Sequence, residues 1–150
     1  MIKILYYNEI YKDSFLELLE EVRMYESAQF EGYLLNSSSY LNDYLSNKNH
    51  IVLIAVVEGR VIGYMIATHI TNYAVSIDIL YVSREYRGKG VALMLKKELE
   101  NISRLRGYKQ IVSQVRTNNK ASIALNLKAG WEQEMDKIYP DYYVWFTKNL

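Results

Sequence analysis

Residues 84–95, REYRGKGVALML, set two arginines, a lysine and two glycines at one junction. An apolar, β-branched run, VSIDILYV, precedes them, and a run with helical spacing follows. A helix start exposes backbone N–H groups that have no intrahelical partner, and the macrodipole adds partial positive charge there. Gly88 and Gly90 lack Cβ, so the chain can turn sharply and come close to a ligand. Arg84, Arg87 and Lys89 add net charge. Together these suit a phosphate or pyrophosphate. The alternative is a plain glycine-rich turn with surface charges. Two common phosphate loops do not fit: the Gly-x4-Gly-Lys-Ser/Thr spacing is missing, and in Gly88-x-Gly90-x-x-Leu93 the third glycine of the dinucleotide fingerprint is absent.

The rest of the composition narrows the chemistry. There is no cysteine, which excludes disulfides and thiolate catalysis. The two histidines, His50 and His69, match no metal-binding spacing, so no metal is expected. No apolar run approaches the length of a membrane span and the N-terminus turns polar too early for a signal peptide, so a cytoplasmic protein with no membrane partner is expected. Abundant Tyr, Asn, Lys and Ile would suit an AT-rich bacterial genome. Charge is uneven: residues 1–50 hold eight acids and four bases, residues 51–150 nine acids and fourteen bases. One half could favour a cation and the other an anion, or both could be solvated helix faces. Basic residues gathered at one loop, with a net charge of +1, speak against nucleic acid.

These residues need elements to hold them. Residues 2–6 read as a strand and 11–25 as a helix with Phe15, Leu18, Leu19 and Val22 on one face. The cluster at 36–40 reads as a loop or a cap, and 39–45 as a second, short helix. Residues 50–71 form a hairpin about Glu58-Gly59, and 73–82 a third consecutive strand. Residues 91–105 read as a helix with Leu93 or Met94, Leu99 and Ile102 on its apolar side, stopped by Gly107. A strand at 108–115, a helix at 119–129 and two closing strands at 131–135 and 142–148 complete the order β-α-α-β-β-β-α-β-α-β-β. The expected fold is α+β: one domain, 1–150, with a mixed, mostly antiparallel sheet of about seven strands and helices on both faces.

Two motifs carry a resemblance. Arg87-x-x-Gly90-x-Ala92 is similar to the acetyl-coenzyme A loop, Arg/Gln-x-x-Gly-x-Gly/Ala, of the GNAT superfamily of N-acetyltransferases. At the family's distance follows NNKASIALNLKAGW, with Asn119, Ser122, Lys128, Gly130 and Trp131 in the places of its second signature. The resemblance spans about residues 77–131 and agrees with the element order. It implies acetyl-coenzyme A as co-substrate, lying where the strand ending at Val82 splays from the next. The pyrophosphate would sit on the amides of Arg87, Gly88, Lys89, Gly90, Val91 and Ala92. The pantetheine would pair with backbone of Leu80, Tyr81 and Val82, and Asn119 would contact it from the next helix, while also serving as that helix's N-cap.

Amide formation from a thioester needs a neutral amine, a polarised carbonyl and a leaving thiolate. A backbone N–H at Leu80 or Val82 could polarise the carbonyl. Asp78 is the candidate base, placed two residues before Leu80 and so expected on the same face; the alternative is a hydrogen-bonded aspartate on the solvent side. The sequence departs from the family at Asn126, where many members carry a tyrosine thought to protonate the sulfur. Asn126 can hydrogen-bond the sulfur or pantetheine but cannot act as an acid. Tyr81, Tyr139, Tyr142 or Tyr143 could substitute. The family's acceptor region corresponds here to Glu21, Tyr25, Glu26, Phe30, Glu31 and Tyr33, and to the turn 136–143 with Tyr142. Acids beside aromatics there could hold an amine cation, or form an ordinary polar helix face. The expected activity is acetyl transfer to a primary amine of a small molecule or peptide in a ternary complex. A non-catalytic acetyl-coenzyme A sensor or scaffold is the alternative, and a homodimer is left open.

Overall fold

The computed structural model describes residues 1–26 and 45–150. Strands β1 (Lys3–Tyr6), β2 (Ile51–Val57), β3 (Arg60–Thr71), β4 (Ala74–Val82), β5 (Gln110–Arg116), β6 (Glu132–Met135) and β7 (Tyr143–Asn149) form a sheet of order β1-β2-β3-β4-β5-β7-β6. The described helices are α1 (Lys12–Glu26), α2 (Val91–Leu105) and α3 (Lys120–Lys128), with short 3-10 turns at Glu9–Tyr11 and Arg84–Tyr86. The expected strand order and mixed sheet are therefore present. The expected helix at 39–45 falls almost wholly outside the described residues.

Each face of the sheet buries a different helix. Phe15, Leu18, Leu19 and Val22 of α1 pack on Val52, Ile54, Tyr64, Ile66, Ile79 and Tyr81. On the other face Val91, Leu95, Leu99 and Ile102 of α2 pack on Leu53, Met65, Val75, Ile111 and Phe146. Burying each such side chain contributes roughly 2 kcal/mol, and this is what fixes the helices to the sheet. One sequence expectation is corrected: Leu93 and Met94 are exposed, because the buried face of α2 follows the four-residue row Val91–Leu95–Leu99 instead.

Two local features shape the centre of the sheet. The β2–β3 hairpin turns through Glu58 and Gly59, both left-handed (φ 48° and 78°), the geometry that matches strand twist in a two-residue turn. In β4, Ile77 pairs with Ala67 and Ile79 with Ile66, so Asp78 is an extra residue, a β-bulge. The bulge reverses the alternation. Val75 and Ile77 face α2, whereas Ile79 and Tyr81 face α1.

The parallel pair β4–β5 is short. It runs from Ala74↔Gln110 to Ile77↔Ser113 and stops, although β4 continues to Val82 and β5 to Arg116. β5 keeps its pairing with β7 throughout, and β4 keeps its pairing with β3. The sheet is therefore split at its centre, beyond Ile77 and Ser113.

Candidate active site

The split opens into a cavity of about 400 Å³. Leu80, Tyr81 and Val82 line one side, Arg87, Gly88, Gly90, Val91 and Ala92 its head, and Asn119, Ser122 and Leu125 the α3 side. Nearly every residue expected to hold the cofactor is thus brought together. Lys89 is not in the lining; its ammonium lies 5.1 Å from the Tyr86 ring centre.

Backbone geometry prepares the β4 wall. Ser83 N–H donates to the Ile62 carbonyl on β3 at 2.8 Å, so by alternation the polar groups of Val82 and Leu80 point the other way, into the split. The Arg87 Nε donates to the Val82 carbonyl at 3.0 Å, which places that side chain across the gap and shows that this carbonyl is reachable from it. At the head, Gly88 (φ 75°) and Gly90 (φ 81°) hold left-handed conformations that a side chain disfavours. Gly90 is the N-cap of α2, no side chain caps it, and no acid stands in the first turn. The first amides of α2 carry no side-chain cap, and of the three nearby cations Arg87 lines the cavity with them.

The α3 side is held by Asn119, whose Oδ1 accepts from Ser122 N at 3.2 Å, the expected N-cap. Asn126 is 1% exposed and does not line the cavity; it sits one residue beyond Leu125, which does. Its Oδ1 is buried with no hydrogen-bond partner among the described residues.

Asp78 lies outside the cavity lining. Its Oδ2 accepts from Thr68 Oγ1 at 2.9 Å. Thr68 follows Ala67, and Asp78 follows Ile77; both of those predecessors face α2, so both polar side chains project on the α1 face. The expectation that Asp78 shares a face with Leu80 is overturned: Leu80 packs with the α2-side cluster, and the bulge at Asp78 causes the switch. Such a bulge is invisible to a two-residue period.

Sequence reasoning grouped Glu21 with the acceptor residues. Its carboxylate instead gathers the end of β4 and the start of the loop: Tyr81 Oη donates to it at 2.6 Å, Ser83 Oγ at 2.9 Å and Arg84 N–H at 3.3 Å. Tyr25, also expected at the acceptor, stacks under the Arg84 guanidinium at 4.3 Å. The last turns of α1 therefore brace the cofactor loop. Glu26 is the last residue of α1, and Phe30, Glu31 and Tyr33 lie outside the described residues. Tyr142 is exposed in the β6–β7 turn.

One residue missed from the sequence, Gln114, stands at the split, and Asp136 opens the turn 136–143 expected in the acceptor region. Gln114 and Asp136 are joined on the α1 face by a hydrogen bond of 2.9 Å, Nε2 to Oδ2. The Tyr139 N–H above all holds the Asp136 carboxyl below the usual carboxylate range, helped by Gln114, Ile138 and Trp145 against the opposing effect of burial. No sequence signal marks such a pair, since the partners are 22 residues apart on different strands. Among the described residues no three His, Cys, Asp or Glu side chains gather as a metal site, and no described helix is long and apolar enough to cross a membrane.

A split parallel pair leading to an uncapped, glycine-bearing helix start is a family architecture, and comparison agrees. The acetyltransferase (GNAT) family model matches residues 8–131, and the chain belongs to that family. Solved structures with the same fold include the PaiA N-acetyltransferase of Thermoplasma acidophilum in complex with coenzyme A: 20% identical, covering 100% of this chain and 99% of that one, TM-score 0.82. A GNAT-family acetyltransferase of Staphylococcus aureus is 15% identical over 100% and 99% of the two chains, TM-score 0.78. One from Elizabethkingia anophelis, with acetyl-coenzyme A bound, is 14% identical over 99% and 98%, TM-score 0.71. No curated protein matches.

Proposed function

We propose that this family member transfers the acetyl group of acetyl-coenzyme A to a primary amine, by direct attack within a ternary complex. The observation that carries the reading is the split beyond Ile77 and Ser113, with a strand of open backbone on one side and an uncapped helix start at its head. Pyrophosphate fits that helix start, where the first amides of α2 and Arg87 border the cavity. The pantetheine amides fit the backbone of Leu80 and Val82 as a short extra strand would, with the Val82 carbonyl, which accepts from Arg87 Nε, open to exchange that donor for the ligand.

In this arrangement the amine nitrogen bonds to the thioester carbonyl carbon, the C–S bond breaks, and coenzyme A leaves as a thiolate. A backbone N–H of Leu80 or Val82 supports the carbonyl oxygen as it gains charge. The amine's proton passes to Asp78, directly or through water, on the α1 face from which the amine approaches. Asn126 assists by hydrogen bonding from the α3 side: its buried Oδ1 has no partner among the described residues, which supports a partner supplied by the ligand. It cannot supply a proton, and a thiolate of ordinary thiol pKa, about 8.5, can leave without one. Tyr81 is poorly placed as a substitute acid, since its hydroxyl donates to Glu21 on the α1 face.

The test is incubation with acetyl-coenzyme A and a panel of amines, reading free thiol and acetylated product. Transfer to at least one amine is expected. Tight calorimetric binding of acetyl-coenzyme A with no thiol released for any amine would replace this reading with that of a sensor.

A further inference from the structure

A second cavity, about 340 Å³, lies against the β5–β7–β6 end of the sheet. Its floor is a cross-strand row: Gln114 pairs with Trp145, and Trp145 with Glu134. The neighbours of Gln114 and Trp145 in their own strands, Val115, Val144 and Phe146, are buried toward α2. The row therefore projects on the α1 face, the face of Asp78.

Asp136, 3% exposed, organises this floor. Its Oδ1 accepts from Ile138 N at 2.8 Å and Tyr139 N at 2.6 Å. Its Oδ2 accepts from Trp145 Nε1 at 2.6 Å and Gln114 Nε2 at 2.9 Å. Four donors saturate a carboxylate, so Asp136 is not itself a ligand-holding group. Its consequence is to fix Gln114. With Nε2 committed to Asp136, the carbonyl Oε1 is turned away from it as an open acceptor.

The location of Gln114 gives that acceptor meaning. The last β4–β5 pair is Ile77↔Ser113. Asp78 and Gln114 are the next residues on the two strands, and both project on the same face. They flank the apex of the split from opposite sides.

We propose that Gln114 Oε1 receives an N–H of the acceptor amine opposite Asp78, and that Asp136 is the positioning residue that orients it. The cavity beyond takes the body of the acceptor. Its volume is that of a small-molecule site, its wall carries the exposed apolar surfaces of Met135, Ile138 and Tyr139, and Glu134 and Asp136 outweigh Lys137 in charge. The acceptor class is a compact amine with an aromatic or aliphatic body. This rests on the acetyl-transfer reading.

The experiment is steady-state kinetics with 2-phenylethylamine and, separately, a glycine-terminated tripeptide, on the parent, Gln114→Ala, Asp136→Asn and the double variant. Loss of one hydrogen bond should raise the KM for 2-phenylethylamine about tenfold in Gln114→Ala, with the KM for acetyl-coenzyme A unmoved. Asp136→Asn should raise the amine KM too, and the double variant should be no worse than the more impaired single one, because Asp136 acts through Gln114. Gln114 is exposed, so its variant tests the idea even if Asp136→Asn disturbs the turn. An unchanged amine KM in Gln114→Ala, equal rises in both KM values, or multiplying effects would overturn the inference while leaving acetyl transfer standing. A parent that acetylates the tripeptide but not 2-phenylethylamine would overturn the small-amine class. A parent that releases no thiol with either, nor with any other amine, would remove the transfer reading itself.

Discussion

The two sides of the split sheet are built from different material. The β4 side, from Leu80 to the start of α2, offers mainly backbone: strand carbonyls and amides, left-handed glycines and an uncapped helix start. The β5–β7–β6 side works through side chains: Gln114, Asp136, Trp145 and Glu134, each placed by cross-strand pairing. Backbone groups are the same for every residue type, so a site made of them depends on chain geometry and tolerates sequence change except where geometry demands glycine. A site made of side chains can be re-specified one residue at a time.

The comparison predicts its own breaking points. Gly90→Glu should cause the largest loss. It puts a carboxylate and a Cβ at φ 81° where anion-binding amides converge, yet an added Cβ there meets nothing within 4 Å. Calorimetry should show near-complete loss of acetyl-coenzyme A binding by a folded protein; parental affinity would disprove the backbone-built site. Asp78→Asn should lower turnover on the order of 10²-fold, with cofactor affinity nearly unchanged. The pH–rate profile is the check, since a profile identical to the parent's removes Asp78 from proton transfer.

A side chain on the backbone side makes the next case. Lys96 of α2 is 3% exposed, with its ammonium 4.3 Å from the Trp131 ring. Burial lowers its pKa to about 8, with Glu100 opposing. The folded state therefore holds fewer protons than the unfolded chain between about pH 8 and the ordinary lysine value of 10.5, and stability should rise with pH across that window. Lys96→Met should flatten the rise and stabilise the protein at pH 7, both read from urea unfolding at a series of pH values. A rise that survives the substitution would assign it to another group.

Smaller effects should come from the braces. Glu21→Gln weakens the tie between α1 and the cofactor loop. It should raise the KM for acetyl-coenzyme A by up to about tenfold, roughly the loss of one charged hydrogen bond, and leave the amine KM alone. An amine KM that rises instead would return Glu21 to the acceptor side. Asn126→Ala should weaken turnover or binding by about 1 kcal/mol. Asn126→Tyr should leave the alkaline limb of the pH profile in place; a new alkaline limb near a phenol's pKa, with faster turnover, would show that an acid was wanted there.

Much of the backbone side was legible in the sequence. Two glycines, clustered cations and a helical run following a β-branched one define a strand-to-helix turn by local geometry alone, and Asn119 three residues before Ser122 is a cap by the same logic. Strand order followed from element order. On the side-chain half the turn 136–143 was legible as acceptor region, but the pairing of Gln114 with Asp136 was not. Gln114 and Asp136 are ordinary polar residues in a sequence, and nothing local joins them. Nor were the contacts of Glu21 legible, because its partners Tyr81, Ser83 and Arg84 lie sixty or more positions away. Leu93 and Met94 fitted a helical stripe as well as Leu95 did, until the sheet chose which stripe to bury.

The sequence alone determined the period of each element, the turns that glycine permits and the charge gathered at residues 84–89, because these depend on neighbours in the chain. Tertiary structure alone decided where β4 and β5 part, that Asp78 is a bulge facing α1 rather than a partner of Leu80, and that Asp136 holds the Gln114 amide on the α1 face. Each of these is a matter of register between strands distant in sequence, and register is set by the whole sheet's packing against its two helices.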